Sequence, residues 1–495
     1  MRNEPQLIAY ADRFGGDLAG LGSLLDGPLA GAFGGVHVLP FFHPIDGADA
    51  GFDPIDHTTV DARLGTWDDV AALGADRELV ADLIVNHVSA RSPQFLDWAA
   101  RGESSPYDGM FLTYESVYPE GATEADLLAT YRPRPGMSFS VKGVAGERRL
   151  VWTTFTSEQV DVDVGHPATR EYLHAILDRF AACGVGLVRL DAVGYAVKGP
   201  GTSSFMIPET FVFIDQLADA CRARGLEMLV EVHGHHRTQI DIAGHVDWVY
   251  DFALPPLVLD ALFRGSNEGL VRWLSVRPTN AVTVLDTHDG IGVIDVGRDQ
   301  SDHSRPGLLT QEQIDGLVEE IHRRSGGASR LATGEAADNL DVYQVNCSFY
   351  DALGRDDARY LAARLIQVLV PGVPQIYYVG ALAGTNDMEL LAHTGVGRDI
   401  NRHHYTDAEI TAAVERPVVQ RLLALLRWRR GAAALFEQGA FSVEPGADHE
   451  LILAWRGDDS VVATIDLRTG TVALELTEAG STRTVTDVAD LSRPG

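Results

Sequence analysis

Eight short apolar runs recur along this chain, spaced so that a helix fits between most neighbours. They are Leu7–Tyr10, Val36–Phe41, Leu79–His87, Val185–Val193, Met228–His233, Trp248–Leu254, Ala281–Asp289 and Val373–Val379. Most are near-continuous rather than alternating, as expected of parallel strands covered on both faces. Amphipathic stretches lie between them. In His166–Cys183 the residues Leu173, Ile176, Leu177 and Phe180 share a face, and Gly184 follows as a stop. Pro208–Arg224 repeats the pattern with Phe211, Ile214, Leu217 and Cys221 before Gly225. Strand and helix in alternation eight times over predict an α/β fold of the (β/α)8 TIM-barrel type.

Two strand-to-helix connections are too long for simple loops. The expectation is therefore a barrel built from 1–86, 166–290 and 355–434, with subdomains 87–165 and 291–354 inserted on its catalytic face. A helix is predicted near Glu312–Arg323 in the second insertion, and another at Arg416–Arg430. Beyond it, Glu450–Trp455, Ser460–Leu467, Thr471–Leu476 and Ser481–Val488 alternate like strands. They predict an antiparallel C-terminal β domain over 435–495.

A net charge of −30 argues against nucleic acid and anionic membrane as partners. No run approaches the length of a membrane span, and the start of the chain has no apolar stretch behind a basic segment, so a cytoplasmic protein is expected. Cys183, Cys221 and Cys347 lack CxxC spacing and read as buried free thiols. Only Lys142 and Lys198 are lysine; the other bases are arginine.

Three of the runs end in acids: VRLDAV carries Asp191, EMLVEVH carries Glu231 and AVTVLDTHD carries Asp289. A lone strand-end acid is often a cap or turn residue. Three in one barrel point to chemistry run on carboxylates. Arg189 and Asp191, two apart on a strand, face the same side. The guanidinium is expected to hold Asp191 ionised for attack on an anomeric carbon. Glu231, with no adjacent base, is expected to keep a proton and donate it. Asp289 would bind sugar hydroxyls and favour an oxocarbenium-like transition state. His87 and His288, at strand tips, suit hydrogen bonding to hydroxyls as neutral imidazoles. HGHH (His233 to His236) hints at metal, but no second ligand cluster accompanies it.

IVNH, VRLDAV, the Glu-bearing fifth strand and DTHD resemble the four recurrent motifs of the α-amylase superfamily. GADAGFDPIDH (Gly47 to His57), YRPRPG (Tyr131 to Gly136), NLDVYQVN (Asn339 to Asn346), PGVPQIYYVG (Pro371 to Gly380) and GRDINRHHY (Gly397 to Tyr405) narrow this. Over nearly its whole length the chain is similar to the sucrose phosphorylase family. The resemblance implies Asp191 as nucleophile, Glu231 as acid/base and Asp289 as transition-state stabiliser. It implies a glucose pocket of Asp49, Phe52, His87, Arg189, His288 and Arg398. Pro133, Arg134, Phe155, Gln159, Leu340, Asp341, Tyr343 and Gln344 would surround the fructose or phosphate position, and His233 is a further substrate-binding residue. Sucrose, inorganic phosphate, glucose 1-phosphate and fructose would be the small-molecule partners. No metal or organic cofactor is implied, and calcium has no evident site. A monomer and a homodimer both stay open.

One subsite must then accept neutral fructose and afterwards a phosphate dianion. Loops bearing Arg134 and Asp341 are expected to exchange places, with Gly136 and Gly334 permitting the motion. Rival readings are a related phosphorylase acting on glucosylglycerol, glucosylglycerate or sucrose 6′-phosphate, a hydrolase or transglycosidase, and a non-catalytic barrel. A phosphorylated acceptor calls for an extra cation near Tyr343, so Tyr343 and Gln344 favour free fructose. Retention of all three acids opposes the non-catalytic reading.

Overall fold

All eight expected strands form and close on themselves: β1 (Gln6–Ala9), β2 (Gly35–Val38), β3 (Glu78–Ile84), β4 (Leu187–Asp191), β5 (Glu227–Val230), β6 (Trp248–Asp251), β7 (Ala281–Thr283) and β8 (Val373–Tyr377). Each pairs in parallel with the next, and β8 pairs with β1. The structure is a computed structural model that describes residues 1–492 apart from 48, 133–135, 300, 301, 303 and 338–343, with only the backbone of 334–337 and 492. Nearly every barrel-strand residue is buried, as the continuous apolar runs require. The interior is not wholly apolar. Tyr250 donates to Gln375 at 3.0 Å, and Gln375 donates to Gln6 at 2.8 Å, so these buried polar groups satisfy one another.

Several strands stop earlier than their apolar runs. The seventh ends at Thr283, whose register partner on β8 is Pro374, a residue with no N–H for the ladder. Asp289 therefore sits six residues past its strand, in a connection, rather than at the strand tip. The helices Pro167–Ala182 and Pro208–Arg222 pack on the outside. In the second, Phe213 takes the core position with Ile214, Leu217 and Cys221. Phe211 is only partly buried and rests against His245, ring centroids 5.2 Å apart.

The chain after β3 forms two-stranded pairs, Phe139–Val144 with Glu147–Trp152 and His87–Ser89 with Gln159–Asp161, around a separate core of Phe95, Trp98, Phe111 and Val151. The chain after β7 carries helices Gln311–Arg324 and Ala328–Ala337. Ile314, Leu317 and Ile321 of the former join the main core rather than making their own. The C-terminal sheet is an antiparallel meander of five strands, one more than the sequence suggests, since Ala440–Glu444 also pairs. That strand is mostly half-exposed, so its apolar signal is weak. Cys221 and Cys347 are buried free thiols, whereas Cys183 caps its helix and is partly exposed. Among the described residues no helix is long and apolar enough to cross a membrane.

Lys198 fastens the first insertion to the barrel. Its buried ammonium meets Asp161 of the insertion at 2.7 Å, Asn86 past the end of β3 at 2.8 Å, and the carbonyl of Tyr195 in the loop after β4. Three oxygens from three segments converge on one cation. Lys198→Met leaves the Asp161 carboxylate buried without that cation, so a stability loss of about 3–5 kcal/mol is expected, read from the denaturant midpoint.

Candidate active site

Arg189 is the node of the pocket. It stands on β4 beside Asp82 of β3, its register partner. One terminal nitrogen, Nη1, donates to Asp82 and also to Asp191 at 3.1 Å; Nη2 lies 3.8 Å from Glu231. Asp82 passes its other oxygen to His37 Nε2 at 2.9 Å. Burial alone would raise the Asp82 carboxyl, but His37 and Arg189 hold it well below the ordinary range. Asp82 and His37 were missed by the sequence reading. A single acid in the apolar run LVADLIV, on the same strand face as Asn86, is the signal that marks it.

The expectation that Arg189 depresses the Asp191 pKa is overturned. Burial pushes the Asp191 carboxyl well up, and Glu231, Asp82 and Asp289 push the same way, outweighing the shared guanidinium. Nor does Glu231 lack bases: besides Arg189, His233 Nε2 lies 3.7 Å away, and the Ala192 amide donates to it at 3.3 Å. Ala192 takes φ +55°, a left-handed conformation that turns its N–H toward Glu231.

Asp289 faces Asp191 across the pocket, held by Arg398, which also lies 3.7 Å from Asp49. Arg402, within the GRDINRHHY string but not singled out there, is buried with Nη2 3.9 Å from Asp289 and Nε donating to the His288 carbonyl at 2.9 Å. Phe52 stacks on His288, centroids 4.7 Å apart and 10° from parallel. Phe155 meets His87 and Tyr195 edge-on at 5.4 and 5.3 Å. Tyr195, four residues after Asp191, also lines the pocket and was missed; it stacks beside Tyr131 of YRPRPG.

The structure gathers Asp49, Phe52, His87, Phe155, Gln159, His233, His288, Gln344 and Arg398 around the three acids, with Arg189 beneath. Arg134, Leu340, Asp341, Tyr343 and Pro133 lie outside the described residues. Gly334 lies within the helix Ala328–Ala337, where hydrogen-bonded backbone leaves no hinge, so its expected role in loop motion is withdrawn. Gly136 does take a left-handed φ of +90°. Arg132 of the same string is no solvent-facing arginine: it donates to the carbonyls of Thr154 and Phe155 at 2.9 and 3.1 Å.

The histidines divide. Burial lowers the His87 pKa. Its Nε2 sits 2.9 Å from the Phe52 carbonyl and 3.1 Å from the Gln159 amide nitrogen, and its Nδ1 faces the Asn86 amide at 3.3 Å. His288 is held well below the ordinary range by burial, then by Arg189 and Arg402. His233 goes the other way. Burial opposes the charge, but Asp295 and then Glu231 raise it to about 9. His235 instead caps the helix His236–Ala243, so HGHH is not one cluster. Glu231, His233 and Asp289 each bring a donor atom within 4.8 Å of the others. Arg398 on Asp289 and Arg189 near Glu231 already set positive charge there, which disfavours a second cation.

No family model matches the chain. It is 58% identical over 457 residues to the sucrose phosphorylase of Agrobacterium vitis, covering 92% of this chain and 93% of that protein. The chain belongs to the sucrose phosphorylase family. A family relative from Bifidobacterium adolescentis, also named sucrose phosphorylase, is 54% identical, with coverage of 93% and 91%. The crystal structure of sucrose 6F-phosphate phosphorylase from Thermoanaerobacter thermosaccharolyticum superposes with a TM-score of 0.90 at 37% identity, over 98% of each chain.

Within this family site, Asp82 positions the arginine that both Asp191 and Glu231 lean on. Asp82→Asn weakens that hold, and misplacement of Arg189 by an ångström is expected to lower turnover by about 100-fold. Steady-state rates on protein with unchanged circular dichroism check this.

Proposed function

We propose that the chain transfers the glucosyl unit of sucrose to inorganic phosphate, giving α-D-glucose 1-phosphate and D-fructose with retention at the anomeric carbon. The observation that carries this reading is Asp191 and Glu231 on one buried guanidinium, with Asp289 clamped by Arg398 in the same pocket. The 58% and 54% identical relatives carry the name sucrose phosphorylase, which supports free sucrose over the phosphorylated sugar named in the 37% identical structure.

In this reading Glu231 gives its proton to the glycosidic oxygen while Asp191 attacks the anomeric carbon. The bond to fructose breaks, fructose leaves with that proton, and a β-glucosyl ester forms on Asp191. Phosphate then attacks the same carbon from the side fructose vacated, Glu231 takes its proton, and the ester bond to Asp191 breaks. Two inversions make net retention. Burial pushes the Asp191 carboxyl well up, so attack requires that it be ionised when sucrose binds, and the Arg189 guanidinium beside it favours that form. Asp289 contributes negative charge where the sugar ring turns cationic. His288, neutral by burial, suits contact to a glucose hydroxyl without adding a cation beside that ring, and His87, likewise neutral, lines the same pocket with its nitrogens on Phe52, Gln159 and Asn86. Arg134 for phosphate and Asp341 for fructose belong to the same reading, as does a cytoplasmic setting in keeping with the free thiols.

Sucrose incubated with phosphate should give glucose 1-phosphate and fructose in equal amounts with little free glucose. Equal release of glucose and fructose at a rate indifferent to phosphate rejects the reading in favour of a hydrolase. Asp191→Asn should lower turnover by about 10⁴-fold or more. Asp191 must be ionised to attack. Because its carboxyl is raised, kcat/KM for sucrose should fall on the acid side, with that limb lying above the ordinary carboxylate range. Glu231→Gln should slow turnover by about 10²–10⁴-fold. Exhaustive dialysis against a chelator should leave the rate unchanged, since arginines supply the positive charge; a loss restored by calcium overturns the metal-free mechanism.

A further inference from the structure

We propose that Asp295 is a positioning residue that keeps His233 as an imidazolium beside Glu231, so that the pocket carries a fixed cation for the incoming phosphate. Asp295 lies in the turn Ile294–Val296 after β7, wholly buried, and no acid motif in the sequence marks it. One carboxylate oxygen accepts His233 Nδ1–H at 2.9 Å. The other accepts the Gly234 amide at 3.0 Å and the Gln239 side chain at 3.1 Å. Both oxygens are thus committed, and the carboxylate is anchored on the element that follows Glu231. The ring of His233 stacks on Phe252, centroids 3.9 Å apart and 18° from parallel, which fixes its plane. A Cβ at Gly292 would lie 2.4 Å from Asp295 Oδ2 and 3.1 Å from His233 Nδ1, so only glycine admits this approach. With Nδ1 turned to Asp295, Nε2 points into the pocket, 3.7 Å from Glu231.

The inference rests on the proposed phosphorolysis and addresses its second half. Once fructose has taken the Glu231 proton, Asp191 is an ester and Glu231 is a carboxylate. A phosphate dianion must then approach that carboxylate. A cation on the Glu231 side offsets the repulsion, while neutral fructose does not need it. The charges that act most strongly on His233 are Asp295, then Glu231 and Asp289, all anions that favour the imidazolium. The charge is present below about pH 9 and lost above it. Gln344 lies 3.5 Å from His233 Nε2 with its amide nitrogen on that side; to accept an Nε2–H it must turn its oxygen there and release the Gly290 amide.

Asp295→Asn is the test. An asparagine oxygen still accepts from Gly234 and Gln239, but its amide donates to His233 Nδ1 and leaves the ring neutral with its proton on Nε2. KM for phosphate at pH 7 should rise by about tenfold or more, while KM for sucrose shifts by less than about threefold. The alkaline loss of phosphate affinity in the parent enzyme should move to lower pH. In a His233→Gln background the same substitution should change nothing further, because Asp295 acts through the imidazole. Equal losses for both substrates, or an undiminished effect in that background, overturn the proposal. Should Asp295→Asn not fold, ¹⁵N-histidine spectra of the parent enzyme, with His233→Gln for assignment, decide the matter: imidazolium shifts for His233 at pH 7 support it and neutral shifts reject it. Glucose 1-phosphate formation by the parent enzyme is a separate readout, so failure of the phosphorylase reading is recognised independently.

Discussion

The buried guanidinium of Arg189 is the interaction on which the site depends. It touches Asp82, Asp191 and Glu231, carboxylates on β3, at the end of β4 and just past β5. One positive charge cannot neutralise three negative ones in a buried site. Asp82, pinned by His37 as well, takes its share as an ion, and the two pocket-facing acids are left short of compensation. Asp191 is consequently pushed well above the ordinary carboxylate range. That shift arises from burial together with a deficit of positive charge.

The same pocket separates its other charges by position. On the Asp289 side, His87 and His288 are neutral through burial, and Arg398 and Arg402 are committed to Asp289, to Asp49 and to the His288 carbonyl. On the Glu231 side, His233 is charged because Asp295 lies behind it. Similar imidazoles within one cavity differ because one has a buried carboxylate partner on its far nitrogen. The scaffold makes this reproducible. The barrel fixes Asp82, Arg189 and Glu231 relative to one another, while Lys198 ties the first insertion, with Gln159 and Phe155, to the same strand ends.

Much of the barrel was legible because burial on both faces writes itself as unbroken apolar runs, and all eight appear as strands. The acids stood out for the opposite reason, as charges where the pattern calls for apolar residues. The half-exposed strand Ala440–Glu444 escaped because its composition carries no such contrast. Asp82 and Asp295 escaped for a different cause. An isolated acid in a strand or turn has no local signature of what it faces, and each finds its partner far away in the chain, Arg189 for one and His233 for the other.

Sequence alone determined the kind of fold, the three acids and most of the residues around them, because periodicity and local strings are properties of neighbours in the chain. Tertiary structure decided the protonation pattern. Whether Arg189 lowers the Asp191 pKa depends on how many other carboxylates share that guanidinium and how far all are from water. The sequence reading counted one partner; the fold supplies three and buries them. The charge of His233 was likewise fixed by a residue 62 positions away. Electrostatic interactions act through space and in proportion to burial, so their outcome is set only once the chain has closed.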